Sequence, residues 1–403
     1  MAFDLVLKRG LVLDPSQDLH DIRDIGIQNG AIAAVKTEID SSEADKEIDA
    51  SGKVVTPGLI DLHTHVAEHF MPIALSPDEA GVHSGVTALN DCGSVGYAAY
   101  NAFKHFIVRN AKTDVFCFLH LSPTGQMISP EICWESLDTE RLLTLVRQES
   151  DIIKGIKIRA NGQMVASPDL KILKTAKEIS SKAGVPLMIH IGQNLEETIS
   201  EEILTVFNRQ MLPLLEPGDI LTHTFSSRPG SVIFKDAGVM PELKDAKERG
   251  VVIDVGMAKS HFNFDLARLG LDAGIVPDTL STDITNDNYK GPALFSLTVV
   301  MSKFLALGMS LDDVIEKTTI APARILKETH RRGSIGVGYP ADITILELCE
   351  GDFLFCDGIP ENTLAGDRLL EPRTTIKNGE VFKAQSRFRN HVPGEPIPLI
   401  KGA

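Results

Sequence analysis

The stretch PGLIDLHTH, residues 57–65, decides the reading of this chain. An apolar run of strand length ends on two histidines one residue apart, and a strand sends alternate side chains to the same face. His63 and His65 therefore present both imidazoles on one side, a chelate suited to a divalent transition metal. Seven more apolar, β-rich runs follow between residues 86 and 285: VTALNDCG, DVFCFLHL, IIKGIKIRA, VPLMIHIG, DILTHTFS, VVIDVGMA and DTLSTDIT. Among them lie segments of helical period, AYNAFKHFIVRNA, LKILKTAKEISSKAG, PELKDAKERG and ALFSLTVVMSKFLALG, several closing at a glycine suited to a C-cap. Such alternation is the texture of parallel βα units. Eight of them within roughly 280 residues predict an α/β fold, a TIM (β/α)8 barrel, for which ~250 residues is typical.

The flanks read differently. Residues 3–56 carry strand-like runs broken at Gly10, Asn29-Gly30 and Gly52-Lys53, a small antiparallel β unit. From Gly336 onward, ADITILEL and TTIKNGEVFKA return to short strands, the second holding an Asn378-Gly379 hairpin turn. The expected organisation is a composite β-sandwich domain from residues 1–56 and 335–403 around a barrel at 57–334. The glycine-rich GSIGVG at 333–338 reads as a series of turns, because it follows a helix and precedes a strand. A phosphate loop needs the reverse order.

Composition bounds the function classes. The 403 residues are 43% hydrophobic, with mean hydropathy near zero, enough apolar mass for a large core. No window approaches the roughly 18 apolar residues of a membrane helix, and MAFDLVLKRG has no signal-like pattern, so a cytoplasmic protein with no membrane partner is expected. Forty basic against 55 acidic residues give −15, which argues against nucleic acid as a partner. Five scattered cysteines without C-x-x-C spacing suggest buried, reduced thiols.

In a barrel of this kind, chemistry sits at the C-terminal ends of the strands. His63, His65, His120, His190 and His223 fall there, whereas His20, His105, His330 and His391 lie in termini, helices or loops and read as surface residues. Lys157, in GIKIRA, points inward at the end of strand four, where an unpaired ammonium is costly. A carbamate on its amine would reverse the charge and bridge two cations; the competing reading is a salt bridge to Asp283 or Asp91. Lys154 lies on the opposite strand face and is the weaker candidate. Asp283, in STDIT at the end of strand eight, is either a helix N-cap or a carboxylate beside a metal. With the histidines it completes an oxygen and nitrogen set for one or two zinc-like ions.

These residues carry a resemblance. PGLIDLHTH resembles the P-G-x-I-D-x-H-x-H opening of the amidohydrolase superfamily, in which a lysine, two histidines and an aspartate follow. APARILKETHRRGSIGVGYPADITIL, residues 321–346, is similar to that family's A-x-x-L, G-x-I-x-x-G-x-x-A-D signature, so the match spans nearly the whole chain. The resemblance implies two divalent ions, zinc favoured. His63, His65 and Asp283 would bind the more buried ion, His190 and His223 the more exposed one, and carboxylated Lys157 would bridge both. Asp61 would support them. A hydroxide shared by the two ions would attack, with Asp283 shuttling a proton to the leaving group.

Within the superfamily the chain resembles a dihydroorotase-like branch of deacetylases and esterases. Dihydroorotases have H-x-H-x-R, with the arginine gripping a substrate carboxylate, but Ala67 stands at that position here. Arg159, two residues beyond Lys157 on the same strand face, is the replacement, with a structural ion pair as its other reading. His261, Asn263 and Tyr289, after strands seven and eight, are candidate pocket residues. The expected function is a binuclear hydrolase of a small amide or ester, releasing acetate from an acylated amino or hydroxy acid. Its partner is a small carboxylate-bearing molecule, with a homo-oligomer left open. The alternatives are a cyclic amide hydrolase of the dihydroorotase or hydantoinase type and, from a different class, a non-catalytic dihydropyrimidinase-like scaffold, against which the complete ligand set counts.

Overall fold

The computed structural model describes residues 2–128, 132, 134–166, 169–193, 198–289, 294, 296–359 and 362–385. His391, Cys133 and the tail beyond 385 lie outside the described residues. In the N-terminal part, β1 (Leu5–Asp14), β2 (Leu19–Gln28) and β3 (Ala31–Lys36) form an antiparallel meander. The Asn29-Gly30 turn between β2 and β3 has both residues at positive φ, 52° and 76°, as a tight hairpin requires. β4 (Glu47–Asp49) and β5 (Val54–Pro57) then pair with β1 in parallel, so the expectation of a purely antiparallel unit fails for these two strands. The connection through Ser41–Glu43 returns the chain to the same end of β1, which makes the parallel pairing possible.

At the other end of the chain, β15 (Ile343–Cys356), β16 (Thr363–Lys377) and β17 (Glu380–Lys383) continue this same sheet. β15 pairs antiparallel with β5, giving one eight-stranded sheet built from both ends of the chain. A second positive-φ Asn-Gly pair, Asn378 and Gly379, turns β16 into β17. Leu7, Val12, Ile25, Ile27, Val55, Ile343, Ile345 and Ile376 form the core of this sheet.

Seven parallel strands make the curled sheet between them: β6 (Leu59–Thr64), β7 (Val86–Gly96), β8 (Asp114–His120), β9 (Ile153–Arg159), β10 (Leu187–His190), β11 (Ile220–Thr222) and β14 (Val252–Ile253). A small hairpin, β12 (Ile233–Phe234) with β13 (Gly238–Val239), sits outside it. Every residue of β6, β7, β10 and β11 is buried, as strands covered on both faces should be.

The eighth expected strand, DTLSTDIT, forms no ladder. It touches both edges of the sheet through single bridges, Thr279 to Asp254 and Ile284 to Thr64, closing a TIM-like barrel. Asp283, at φ 52°, breaks the extended run, and side chains supply the missing attachment. Asp61 of β6 accepts from the Thr282 amide (3.1 Å) and hydroxyl (2.6 Å), and Asp254 accepts from the hydroxyls of Thr279 and Ser281, each at 2.7 Å.

Opposite the strand C-termini, a buried charge network joins barrel and terminal sheet. Lys154 pairs with Glu328 (2.8 Å), Arg332 with Asp342 (3.0 Å), and Lys377 with Asp114 (2.6 Å) and Asp342 (2.9 Å). Removing one member of such a network costs ~3–5 kcal/mol. Lys154 sits near the start of β9 with its amine 5.2 Å from the Phe116 ring centroid, beside an irregularity in the β8–β9 register, so it is parted from Lys157 along the strand and the expectation of opposite faces does not explain the separation. The four described cysteines are free, and three are buried.

Candidate active site

The carboxyl ends of the strands converge on imidazoles. His63 and His65 close β6, His190 closes β10, His223 follows β11, and His261 follows β14. Their rings run in a chain with centroid separations of 5.8 Å (His65–His63), 5.1 Å (His63–His223), 4.2 Å (His223–His190) and 4.9 Å (His190–His261). All five are buried. Burial is the main cause that holds His63, His190 and His223 below the ordinary histidine pKa. They are neutral at pH 7, the form in which imidazole ligates a metal.

Neighbouring groups fix which nitrogen faces the cluster. Thr222 gives its hydroxyl proton to Asp254 (2.7 Å), so it accepts from His63 Nδ1 (2.9 Å), and the Nε2 lone pair turns inward. His223 Nδ1 donates to the Gly256 carbonyl (2.6 Å), again leaving Nε2 with a bare lone pair. His190 Nε2 donates to the Gly192 carbonyl (3.0 Å), which leaves Nδ1 as its ligand atom, and Ser94 Oγ holds His65 Nδ1 at 2.8 Å. Such outer contacts set tautomer and ring orientation at metal centres. Any side chain at Gly256 would be strained, since its φ is 47° and a Cβ there would lie 2.3 Å from Thr222 Oγ1.

Asp283 completes the cluster. Its Oδ1 lies 3.3 Å from His63 Nε2 and 3.1 Å from His65 Nε2, and its Oδ2 is 3.8 Å from His223 Nε2. One atom from each of His63, His65 and Asp283 falls within 4.8 Å of the others. The cap reading of Asp283 fails, because the carboxylate meets imidazoles instead of helix amides. Burial alone would push this carboxyl up, but His63, His65 and His223 outweigh it and hold the group well below the usual range. Oδ1 of Asp283 and Nε2 of His223 are buried without a hydrogen-bond partner. Inward lone pairs around a carboxylate repel one another unless a cation sits among them, so this donor set fits a divalent metal. Asp283 and His223 also hold left-handed backbone, φ 52° and 67°, strain of the kind that concentrates at functional sites.

Lys157 lies at the floor of the cluster, its Nζ 3.2 Å from His63 Nε2 and 3.3 Å from Met188 Sδ. Among the described residues it makes no ion pair. The salt-bridge reading therefore fails: the Asp91 carboxylate is taken by the amides of Val66 and Ser94, and among the described residues no ion pair or hydrogen bond joins Lys157 to Asp283. Burial is the first cause that lowers the pKa of this amine.

The other sequence candidates separate. Arg159, at the end of β9, donates to Gln126 Oε1 (3.0 Å) and contributes to the electrostatics of His120, His190 and His261, which places it beside the cluster. His261 packs 4.5 Å, ring to ring, from His223. Asn263 caps the helix Phe264–Asp272 by accepting from the Leu266 amide, a structural job away from the imidazoles. The Tyr289 hydroxyl donates to Glu79 (3.0 Å), so its polar end is likewise engaged elsewhere. Asp61 supports the site, as the resemblance implies, by holding the segment that carries Asp283. Three supporting residues, Asp254, Thr222 and Ser94, escaped the sequence reading. Asp254 had a signal, an acid inside the apolar run VVIDVG, whereas Thr222, a hydroxyl in a strand, had none.

Converging donors at the mouth of a parallel barrel define the class, a metal-dependent hydrolase. The amidohydrolase family model matches residues 54–382, and the chain belongs to that family. It is similar to a deacetylase of Brucella anthropi, 30% identical over 365 residues, or 90% of this chain and 87% of that protein. A crystal structure of an adenine deaminase has a TM-score of 0.84 at 27% identity, covering 94% of this chain and 100% of that one. A crystal structure of a dihydroorotase has a TM-score of 0.81 at 27% identity, covering 95% and 100%. The chain thus falls in the deacetylase- and dihydroorotase-like branch of the superfamily. Among the described residues no helix is long and apolar enough to cross a membrane.

Proposed function

We propose that the protein is a deacetylase or esterase that cleaves an acylated, carboxylate-bearing amino or hydroxy acid, using two divalent ions, zinc by preference. The observation that carries this reading is the inward convergence of His63 Nε2, His65 Nε2 and Asp283 Oδ1 without a hydrogen-bond donor to the carboxylate oxygen. His63, His65 and Asp283 would hold the more buried ion, and His190 with His223 the other. Lys157 would reach both as a carbamate. Its neutral amine would add to the carbon of CO2: an N–C bond forms as one C–O π bond breaks onto oxygen, one nitrogen proton passes to solvent water, and an anionic –NH–CO2⁻ group results. Bound ions supply a water of lowered pKa and polarise the scissile carbonyl.

The chain's own residues do the rest. Asp283 takes a proton from the attacking water at a carboxylate oxygen and passes it to the leaving group. Arg159 grips the substrate carboxylate, since the buried Ala67 offers no cation. The deacetylase of Brucella anthropi supports the acyl-cleaving reading. The dihydroorotase of the same fold keeps a second one open, hydrolysis of a cyclic amide. In domain terms, residues 1–56 and 335–403, whose described part ends at residue 385, are assigned to a sandwich-like domain around a hydrolase barrel at 57–334. The β5–β15 pairing supports that division, and the free cysteines agree with a reducing, cytoplasmic setting.

Two measurements on one preparation test the reading. Enzyme reconstituted with zinc and bicarbonate is expected to carry two metals per chain by elemental analysis, and one or fewer counts against it. The same enzyme is expected to cleave N-acyl amino acids or O-acetyl hydroxy acids at least about tenfold better than cyclic imides, ~1.4 kcal/mol in transition-state binding. The opposite preference selects the cyclic amide reading.

Arg159→Met in that screen should lower kcat/KM for carboxylate substrates by ~2–4 kcal/mol more than for their neutral amides or methyl esters. Equal losses on charged and neutral substrates would assign Arg159 a structural role.

A further inference from the structure

Two buried histidines, His120 and His261, take no part in the reading above, and the surroundings of His120 carry an inference. His120 ends β8, is fully buried, and faces Lys157 across the parallel β8–β9 register. Its Nδ1 accepts the Ser122 amide at 3.1 Å, so the ring proton sits on Nε2. That Nε2–H is buried with no hydrogen-bond partner. With Nδ1 accepting an amide, the ring is the neutral tautomer. On the third side lies Gly93 of β7, at φ 83°. A Cβ at Gly93 would stand 2.9 Å from Lys157 Cγ and 3.1 Å from His120 Cδ2, so the glycine keeps lysine and histidine around one shared space.

A buried donor beside an amine that offers no oxygen is left without an acceptor. Beside an anionic oxygen the same donor is satisfied. We infer that His120 is a positioning residue for Lys157, its Nε2–H donating to an oxygen of the carbamate formed on the lysine amine. The inference rests on the carbamate of the proposed function and adds what retains it: a neutral donor that stabilises –NH–CO2⁻ without competing for metal. The one other source of such an oxygen is the substrate carboxylate near Arg159, and the test separates the two.

The full chain is stripped of metal and titrated with zinc over a range of ¹³C-bicarbonate. Bound zinc is read by elemental analysis and the carbamate by its ¹³C resonance. His120→Asn, which lacks a donor at the Nε2 position, is expected to need about tenfold or more bicarbonate for half-maximal zinc uptake, the size of one hydrogen bond lost to a charged group. Once loaded, it should show a near-normal KM. His120→Gln, with an amide nitrogen near the Nε2 position, should recover most of the bicarbonate sensitivity, which separates a lost donor from a damaged fold. An unchanged bicarbonate requirement with a raised KM for carboxylate substrates overturns the inference and makes the substrate the acceptor. Wild-type protein that shows neither the ¹³C signal nor any bicarbonate dependence removes the carbamate itself, and the inference falls with it.

Discussion

Lys157→Ala is expected to give a folded protein that retains little metal and loses more than ~10⁴-fold in turnover, toward the uncatalysed rate. Two features of its surroundings make the effect one of function more than of stability. Lys157 has no counter-ion among the described residues; its amine meets only an imidazole nitrogen and a thioether, so its burial already costs desolvation. Truncation opens a cavity, which in a core typically costs ~2–5 kcal/mol, but it also removes that desolvation penalty, and the two offset. The space left lies beside His63 and is lined by Met188 and by the open position at Gly93. A short carboxylic acid such as acetate or propionate should enter it, supply the missing oxygens, and restore part of both metal content and turnover. Lys154→Ala is the control: that lysine is tied to Glu328 in the network opposite the strand C-termini, so its loss should cost ~3–5 kcal/mol in thermal or denaturant unfolding and leave metal content unchanged. A swap of the two phenotypes would mean that the wrong lysine of β9 had been assigned to the chemistry.

The β8–β9 register shifts between Cys117 and Phe118, and Lys154 reaches Phe116, in the apolar cluster that also holds Met188 beside Lys157. The two lysines therefore part along the strand and not by face. The inward position of Lys157 itself was legible from strand alternation. For the same reason His63 and His65 could be assigned together, and seven of the eight barrel runs appear as ladder strands. The eighth was read too regularly. DTLSTDIT has the composition of a strand, yet its attachment depends on Asp61 and Asp254 reaching across from β6 and the end of β14, and its course on Asp283 turning left-handed. Neither is visible in local periodicity. The loop candidates fared unevenly for a related reason. His261 reaches the imidazole chain, whereas Asn263, two residues later, is taken by a helix N-terminus that needed a cap. His120 shows the opposite error. It was visible as a strand-end histidine, but only its missing hydrogen-bond partner gives it a role.

Asp283→Asn should lose ~10²–10⁴-fold in kcat, the range for removing a general acid–base group, while the fold and much of the metal content remain. The backbone makes this the informative replacement. At φ 52° most side chains are strained, but asparagine tolerates the left-handed region, so Asp283→Asn changes the carboxylate and little else, whereas Asp283→Ala adds conformational strain to the loss of a ligand. The amide oxygen can still face His63 and His65, and the Asp283 amide bond to the His63 carbonyl (2.7 Å) does not depend on the side chain. What the amide cannot do is accept a proton. Separating the two functions of Asp283 requires kcat to be measured on protein whose metal content has been determined in the same sample. A large drop in kcat with metal retained assigns the proton transfer to Asp283. Near-normal kcat with metals bound would move that transfer to another group of the cluster, and His261 is the first to replace next. Its ring lies 4.5 Å from His223 and its Nδ1 is buried without a hydrogen-bond partner.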